Sequence, residues 1–137
     1  MVDLMMEIGE NEFYIMNEFE RVTHIMPKFF FEADGNYVFL IEGSRFPQQV
    51  AELGKRLNKN IVVVLDSSDP ETFIRNLFKN VNLLNINIDP AQKQVHVNVA
   101  ERDRSLAIGR GGYRIKVGKK LLKDKFGYDL MLHYTMI

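Results

Sequence analysis

The residues best suited to chemistry lie between Ile108 and Ile115, where the sequence reads Ile-Gly-Arg-Gly-Gly-Tyr-Arg-Ile. Gly109, Gly111 and Gly112 lack a Cβ, so they can take positive φ and let a ligand come close to the main chain. A helix opening near Gly112 begins with N–H groups that have no intrahelical partner and that suit an anion. Arg110 and Arg114 can add charge-assisted hydrogen bonds to phosphate oxygens. Together these residue types fit the holding of a sugar-phosphate backbone. Two other glycine-loop chemistries fail on context. A dinucleotide fingerprint needs G-x-G-x-x-G directly after a strand, and a triphosphate loop needs Gly-Lys-Ser or Gly-Lys-Thr at its end. Here the glycines follow a helical stretch, Asp103 to Ile108, and Gly118-Lys119 continues into Lys120. On these residues alone, a ligand-free turn between two helices explains the pattern equally well.

Other reactive constellations are lacking. Without cysteine there are no disulfides, thiolate metal sites or thiol nucleophiles. His24, His96 and His133 show no metal-ligand spacing, Ser105 has no base nearby in sequence, and no carboxylates pair in a clefted context. The expectation is a protein with no catalytic residue, no metal and no cofactor, and not an enzyme. The 137 residues suit one globular unit or two very small ones. No long apolar run is present, and Asp3, Glu7 and Glu10 stand where a secretory signal would carry lysines. The chain therefore reads as cytoplasmic, with no membrane segment. Its net charge of zero conceals a division, with −5 over residues 1–100 and +5 over residues 101–137. The basic excess surrounds the glycine loop, as a phosphate-binding surface requires.

Several elements must position that loop. Apolar residues at Phe13, Ile15, Met16, Phe19 and Val22 predict an amphipathic helix from Glu10 to about His24. Strands over Phe29–Ala33 and Tyr37–Ile41 are joined by the hairpin signal Asp34-Gly35-Asn36. A helix over Pro47–Asn58, with Pro47 near its first turn, leads to the β-branched strand Ile61–Leu65. Asp69 then caps a helix that opens at Pro70 and runs to Lys79. Strands over Leu83–Ile88 and Gln94–Val99 precede the short helix, the glycine loop, a last helix from Gly112 to Phe126 and a strand over Tyr128–His133. On the last helix Lys116, Lys119, Lys120 and Lys123 form one cationic stripe, while Ile115, Leu122 and Phe126 fall on another face.

The second half thus repeats the order of the first, and Gly54-Lys55-Arg56-Leu57 matches Gly118-Lys119-Lys120-Leu121. From Asp34 to Gly54 is 20 positions and from Asp89 to Gly118 is 29, so the second copy carries nine extra residues. Those nine are assigned to the short helix and the glycine loop. The first copy reads as the same fold without its clamp.

Ile108-Gly109-Arg110-Gly111-Gly112-Tyr113-Arg114-Ile115, with its flanks, resembles the GXXG loop of K-homology (KH) domains, which clamps about four nucleotides. Helix, strand, strand, helix, GXXG, helix, strand is the order of the type II KH domain. Two in tandem resemble the RNA-binding part of NusA-like transcription factors, above all the short archaeal forms. Asp103 to Gly112 carries this likeness, together with Asp69-Pro70-Glu71-Thr72-Phe73-Ile74-Arg75-Asn76. The resemblance implies an α+β fold of two tandem type II KH-like domains (α-β-β-α-α-β). Residues 1–67 would be a degenerate copy lacking GXXG, because Gly43-Ser44-Arg45-Phe46-Pro47 stands where a clamp belongs. Residues 68–137 would be the complete domain. It also implies single-stranded RNA as the partner, bound by Ile108, Gly109, Arg110, Gly111, Gly112, Arg114, Ile115, Lys116, Lys119 and Lys120. The implied role is in transcription elongation or termination, with contact to RNA polymerase by family analogy. A KH adaptor in RNA processing or ribosome assembly, or a protein-interaction scaffold that has lost RNA binding, are the alternatives.

Overall fold

The computed structural model describes residues 4–43 and 45–136, with side chains from residue 11 onward. The chain divides into two compact units, Met1–Asp66 and Ser67–Ile137.

Unit 1 comprises α1 (Leu4–Thr23), β1 (Phe29–Ala33), β2 (Asn36–Ile41), α2 (Val50–Leu57) and β3 (Asn60–Leu65). Asp34 and Gly35 both take positive φ, 51° and 78°, and close the tight hairpin that pairs Ala33 with Asn36. β1 and β2 are antiparallel, whereas β2 and β3 are parallel, from Asn36 opposite Asn60 to Ile41 opposite Leu65. The core gathers Ile15, Phe19 and Val22 of α1, Leu53 of α2, and Phe39, Ile41 and Leu65 of the sheet. The Phe19 and Phe39 rings stack at 4.3 Å. Phe13, expected on the apolar face of α1, is 46% exposed. Two residues before Ile15, it falls on the far side of a 3.6-residue helix.

Unit 2 comprises α3 (Pro70–Leu77), β4 (Leu83–Asp89), β5 (Gln94–Ala100), α4 (Arg104–Ile108), α5 (Tyr113–Phe126) and β6 (Asp129–Thr135). Asp69 caps α3 as its sequence predicts: its Oδ2 accepts from the Thr72 hydroxyl at 2.7 Å and the Thr72 N–H at 3.0 Å. Those two bonds hold the Asp69 carboxyl below the usual aspartate range. β4 and β5 are antiparallel, and β5 and β6 are parallel. Val95, Val97 and Val99 are fully buried on one face of the sheet, as are Phe73, Ile74 and Leu122 among the helices of this unit. Alternation turns Gln94, His96 and Asn98 to the opposite face.

Apart from α4, the two units therefore share element order and strand pairing, an α+β fold built twice. One contact identifies the repeat at atomic level. A Cβ added at Gly54 in α2 would lie 3.1 Å from the Lys59 carbonyl oxygen and 3.6 Å from Ile61 Cγ1 in β3. A Cβ at Gly118 in α5 would lie 3.1 Å from Leu130 Cδ2 in β6. In each unit a helical glycine lets the helix approach the third strand, which offsets the roughly 1 kcal/mol it costs relative to alanine.

Two expectations need correction. The nine extra residues of the second copy are not all in the short helix and glycine loop. The β2–α2 connection runs from Glu42 to Gln49 and the β5–α5 connection from Glu101 to Gly112, while the second hairpin spends Pro90–Lys93 where the first spends Asp34–Gly35. The connection before α5 thus takes four of the nine and the hairpin loop two, with the rest in the strand and helix ends. In addition, α2 starts at Val50 and not at Pro47, because Phe46 packs against the unit 1 core and Gln48–Gln49 form a turn.

Candidate nucleic-acid interface

α4 ends where the Gly109 N–H bonds the Ser105 carbonyl at 2.9 Å. Gly109 takes φ 81° and ψ 165°, a conformation nearly confined to glycine. A Cβ there would lie 2.9 Å from Arg114 Cβ, from Arg114 N and from Tyr113 Cδ1. Gly109 is therefore needed twice: for its backbone angles, and for the close approach between the end of α4 and the start of α5.

Arg110 to Gly112 form a single tight turn, in which the Gly112 N–H bonds the Gly109 carbonyl at 3.0 Å and the Tyr113 N–H bonds the Arg110 carbonyl. Gly111 (φ 63°, ψ 12°) and Gly112 (φ 82°, ψ 13°) are consecutive left-handed residues. A Cβ at Gly111 would meet nothing within 4 Å, so the tip of the loop faces open space. Arg110 is exposed and makes no hydrogen bond or ion pair among the described residues. No side chain caps α5, and although the Tyr113 N–H is taken by the Arg110 carbonyl, its positive end lies beside the same glycines.

The loop is pinned on both sides to one segment. Before it, Asp103 Oδ2 accepts from the Asn82 N–H at 3.1 Å. After it, Arg114 donates through Nη1 to the Lys79 carbonyl at 2.9 Å. The turn between α3 and β4 thus fixes both flanks of the clamp. Arg114, read from sequence as a phosphate ligand, spends one of its five donors on this anchor and keeps the rest. Sequence reasoning missed Asp103 as an anchor, and the Lys79 carbonyl is a main-chain atom with no sequence signal.

The cationic stripe is less uniform than its spacing suggests. Lys116, Lys119 and Lys120 are all exposed. Lys120 pairs with Asp124 at 3.0 Å and Lys123 with Asp129 at 3.3 Å. Lys119 makes no ion pair among the described residues and lines a shallow pocket with Asp129, Leu130 and Met131, where α5 meets β6. Ile108 and Ile115 are half-buried on either side of the loop. Tyr113 and Tyr128 are half-buried too, Tyr128 with its ring 6.1 Å from that of Phe126. Ser105 is a helix residue whose carbonyl closes α4.

Among its described residues unit 1 presents no comparable loop. Its β2–α2 connection holds Gly43 at φ 127°, exposed Arg45 and half-buried Phe46, with Ser44 outside the described residues. Among the described residues no group of three or more His, Asp or Glu could hold a metal ion, and no helix is long and apolar enough to cross a membrane.

Residues 70–127 match the family model of the NusA-like second KH domain. The transcription termination/antitermination protein NusA of Thermus thermophilus is 36% identical over 89 residues, which are 65% of this chain and 21% of that protein. The chain thus spans about a fifth of that relative's length. The crystal structure of APE1850 superposes with a TM-score of 0.68 at 27% identity, covering 90% of this chain and 96% of that one. The glycine loop lies inside the matched stretch, and residues 70–127 belong to the NusA-like second KH domain family.

Proposed function

We propose that this chain binds single-stranded RNA through the Gly109–Gly112 loop and acts in transcription elongation or termination. The observation that carries this reading is the pair of left-handed glycines at an exposed tip, beside an uncapped helix N-terminus. That arrangement lets a phosphodiester touch main-chain N–H groups without a side chain in the way. Arg110, with its guanidinium uncommitted, and Arg114, with donors to spare, bond the phosphate oxygens. Ile108 and Ile115 form an apolar floor beneath the bases. Lys116 and Lys119 add sequence-independent attraction, and Lys120 adds less because Asp124 already holds it.

In this reading residues 68–137 are the RNA-binding domain, and residues 1–67 are a degenerate copy that keeps the fold without the clamp. The role in transcription follows the Thermus thermophilus relative, and association with RNA polymerase rests on the family alone.

A fluorescence titration of Arg110→Asp/Gly111→Asp with short single-stranded RNA tests the proposal. Carboxylates placed against phosphates should abolish binding. The fold should survive because Gly111 has open space around it and aspartate tolerates left-handed backbone better than most residues. Undiminished affinity in a folded double variant would refute the clamp.

A further inference from the structure

Tyr134 lies opposite Val99 in the β5–β6 register, so its side chain leaves the sheet on the face where Val95, Val97 and Val99 are fully buried. Yet Tyr134 is 47% exposed. A large aromatic on the core face of a sheet is ordinarily covered, and here a cation lies over the ring. The Arg104 guanidinium carbon lies over the ring, 4.5 Å from its centroid. Arg104 makes no hydrogen bond or ion pair among the described residues, so all its donors remain available. The strand beneath is fixed: Asn98 donates to the Thr135 hydroxyl at 2.8 Å and Thr135 donates back to Asn98 Oδ1 at 3.0 Å.

We propose that Tyr134, with Arg104 laid over its ring, is a stacking platform for one base of the RNA held by the clamp. This rests on the RNA-binding reading of the loop. Arg104 opens the helix that ends at the clamp, and its Cα lies about 6 Å from that of Ile108 along the helix axis. A GXXG loop holds about four nucleotides, so a platform at this distance falls within or at the edge of the same footprint. An aromatic ring flanked by arginine accepts any base, because every base has a π face, and the spare guanidinium donors reach the phosphate of the same nucleotide. Tyr113 and Tyr128, the tyrosines nearest the loop and the last helix in sequence, are more enclosed, and the Tyr128 ring stacks near that of Phe126. The platform therefore supplies affinity without sequence preference.

The full chain can be titrated with short single-stranded RNAs that carry 2-aminopurine at one position each. In the wild type one position should be quenched well beyond the others. Tyr134→Leu should weaken binding by about tenfold and relieve that quench, while Tyr134→Phe should preserve both, since stacking needs only the ring. An abasic site at the quenched position should cost the wild type a similar factor and cost Tyr134→Leu little, the signature of a direct pair. Equal affinity and equal quenching in a folded Tyr134→Leu would overturn the platform. If that variant fails to fold, a wild-type scan with no singled-out position overturns it equally. RNA binding that Arg110→Asp/Gly111→Asp abolishes and Tyr134→Leu leaves intact sinks the platform alone. A wild type that binds no RNA sinks the clamp reading and the platform with it.

Discussion

Unit 1 and unit 2 are the same fold with different connections after their second strands. In unit 1 that connection runs from Glu42 to Gln49 and sends Phe46 against the core. In unit 2 it runs from Glu101 to Gly112, adds α4, and turns Gly111 and Arg110 outward. Most of what holds either fold together lies elsewhere: the antiparallel and parallel strand pairs, the helix stripes, and the glycine contacts at Gly54 and Gly118. The difference teaches that one scaffold accommodates two connections, one that packs Phe46 and one that, in the proposed reading, holds RNA.

The comparison breaks most visibly at Gly109. Gly109→Ala should lose RNA affinity by more than about tenfold and lower the melting temperature. The new Cβ meets main chain and side chain at 2.9 Å, and the backbone angles there cost a non-glycine residue about 1–3 kcal/mol. The matching change in unit 1, Gly43→Ala, also strains a positive φ but meets nothing within 4 Å. It should alter melting modestly and leave RNA affinity unchanged. Paired titrations and thermal melts of the two variants check this directly, and a loss of affinity in Gly43→Ala would mean that unit 1 takes part in binding.

A smaller effect sharpens the repeat itself. Alanine gains about 1 kcal/mol over glycine in a helix interior, so the balance at each site depends on what the new methyl meets. At Gly118 the obstacle is the end of the Leu130 side chain, which can shift. At Gly54 it is the Lys59 carbonyl oxygen, which also accepts no relief from rotamer change. Gly118→Ala should therefore be close to neutral, and Gly54→Ala should destabilise by about 1 kcal/mol or more, read from denaturant melts. The reverse order would show that the two helices do not approach their third strands in equivalent ways.

The smallest effect separates the lysines. Each phosphate neutralised on a single strand contributes roughly −0.7 to the slope of log K against log salt. Lys119→Ala should flatten that slope by about this amount, and Lys116→Ala should also flatten it. Lys120→Ala should do less, since Asp124 holds that ammonium at 3.0 Å. Lys55, the unit 1 counterpart of Lys119, should make no difference. Slopes unchanged in both Lys116→Ala and Lys119→Ala would reduce the stripe to a solvated face.

Much of this architecture was legible in the residues. Asp34-Gly35 demanded a tight hairpin, Asp69-Pro70 announced a capped helix, and Gly109, Gly111 and Gly112 allowed the positive φ that each of them takes. The start of α2 was not legible, because Pro47 suits a first helical turn locally and only the burial of Phe46 explains why the helix waits until Val50. Phe13 misled for a related reason: apolar character in α1 does not say which side the core lies on. Within the candidate site, residue types foretold which atoms could meet a phosphate, but not their competing partners. Arg114 bonds a main-chain carbonyl, and Asp124 answers Lys120 from one turn away. Tyr134 escaped notice because the sequence pattern ends the last strand at His133, whereas β6 runs on to Thr135 and carries Tyr134 near its end.

The central claim is that the clamp belongs to unit 2 alone. The most direct measurement is a backbone amide NMR titration of the full chain with short single-stranded RNA. The account predicts that shifts concentrate on Gly109 to Lys119, while the amides from Glu42 to Val50 stay where they are. Comparable shifts in both connections, at the same RNA concentrations, would contradict it.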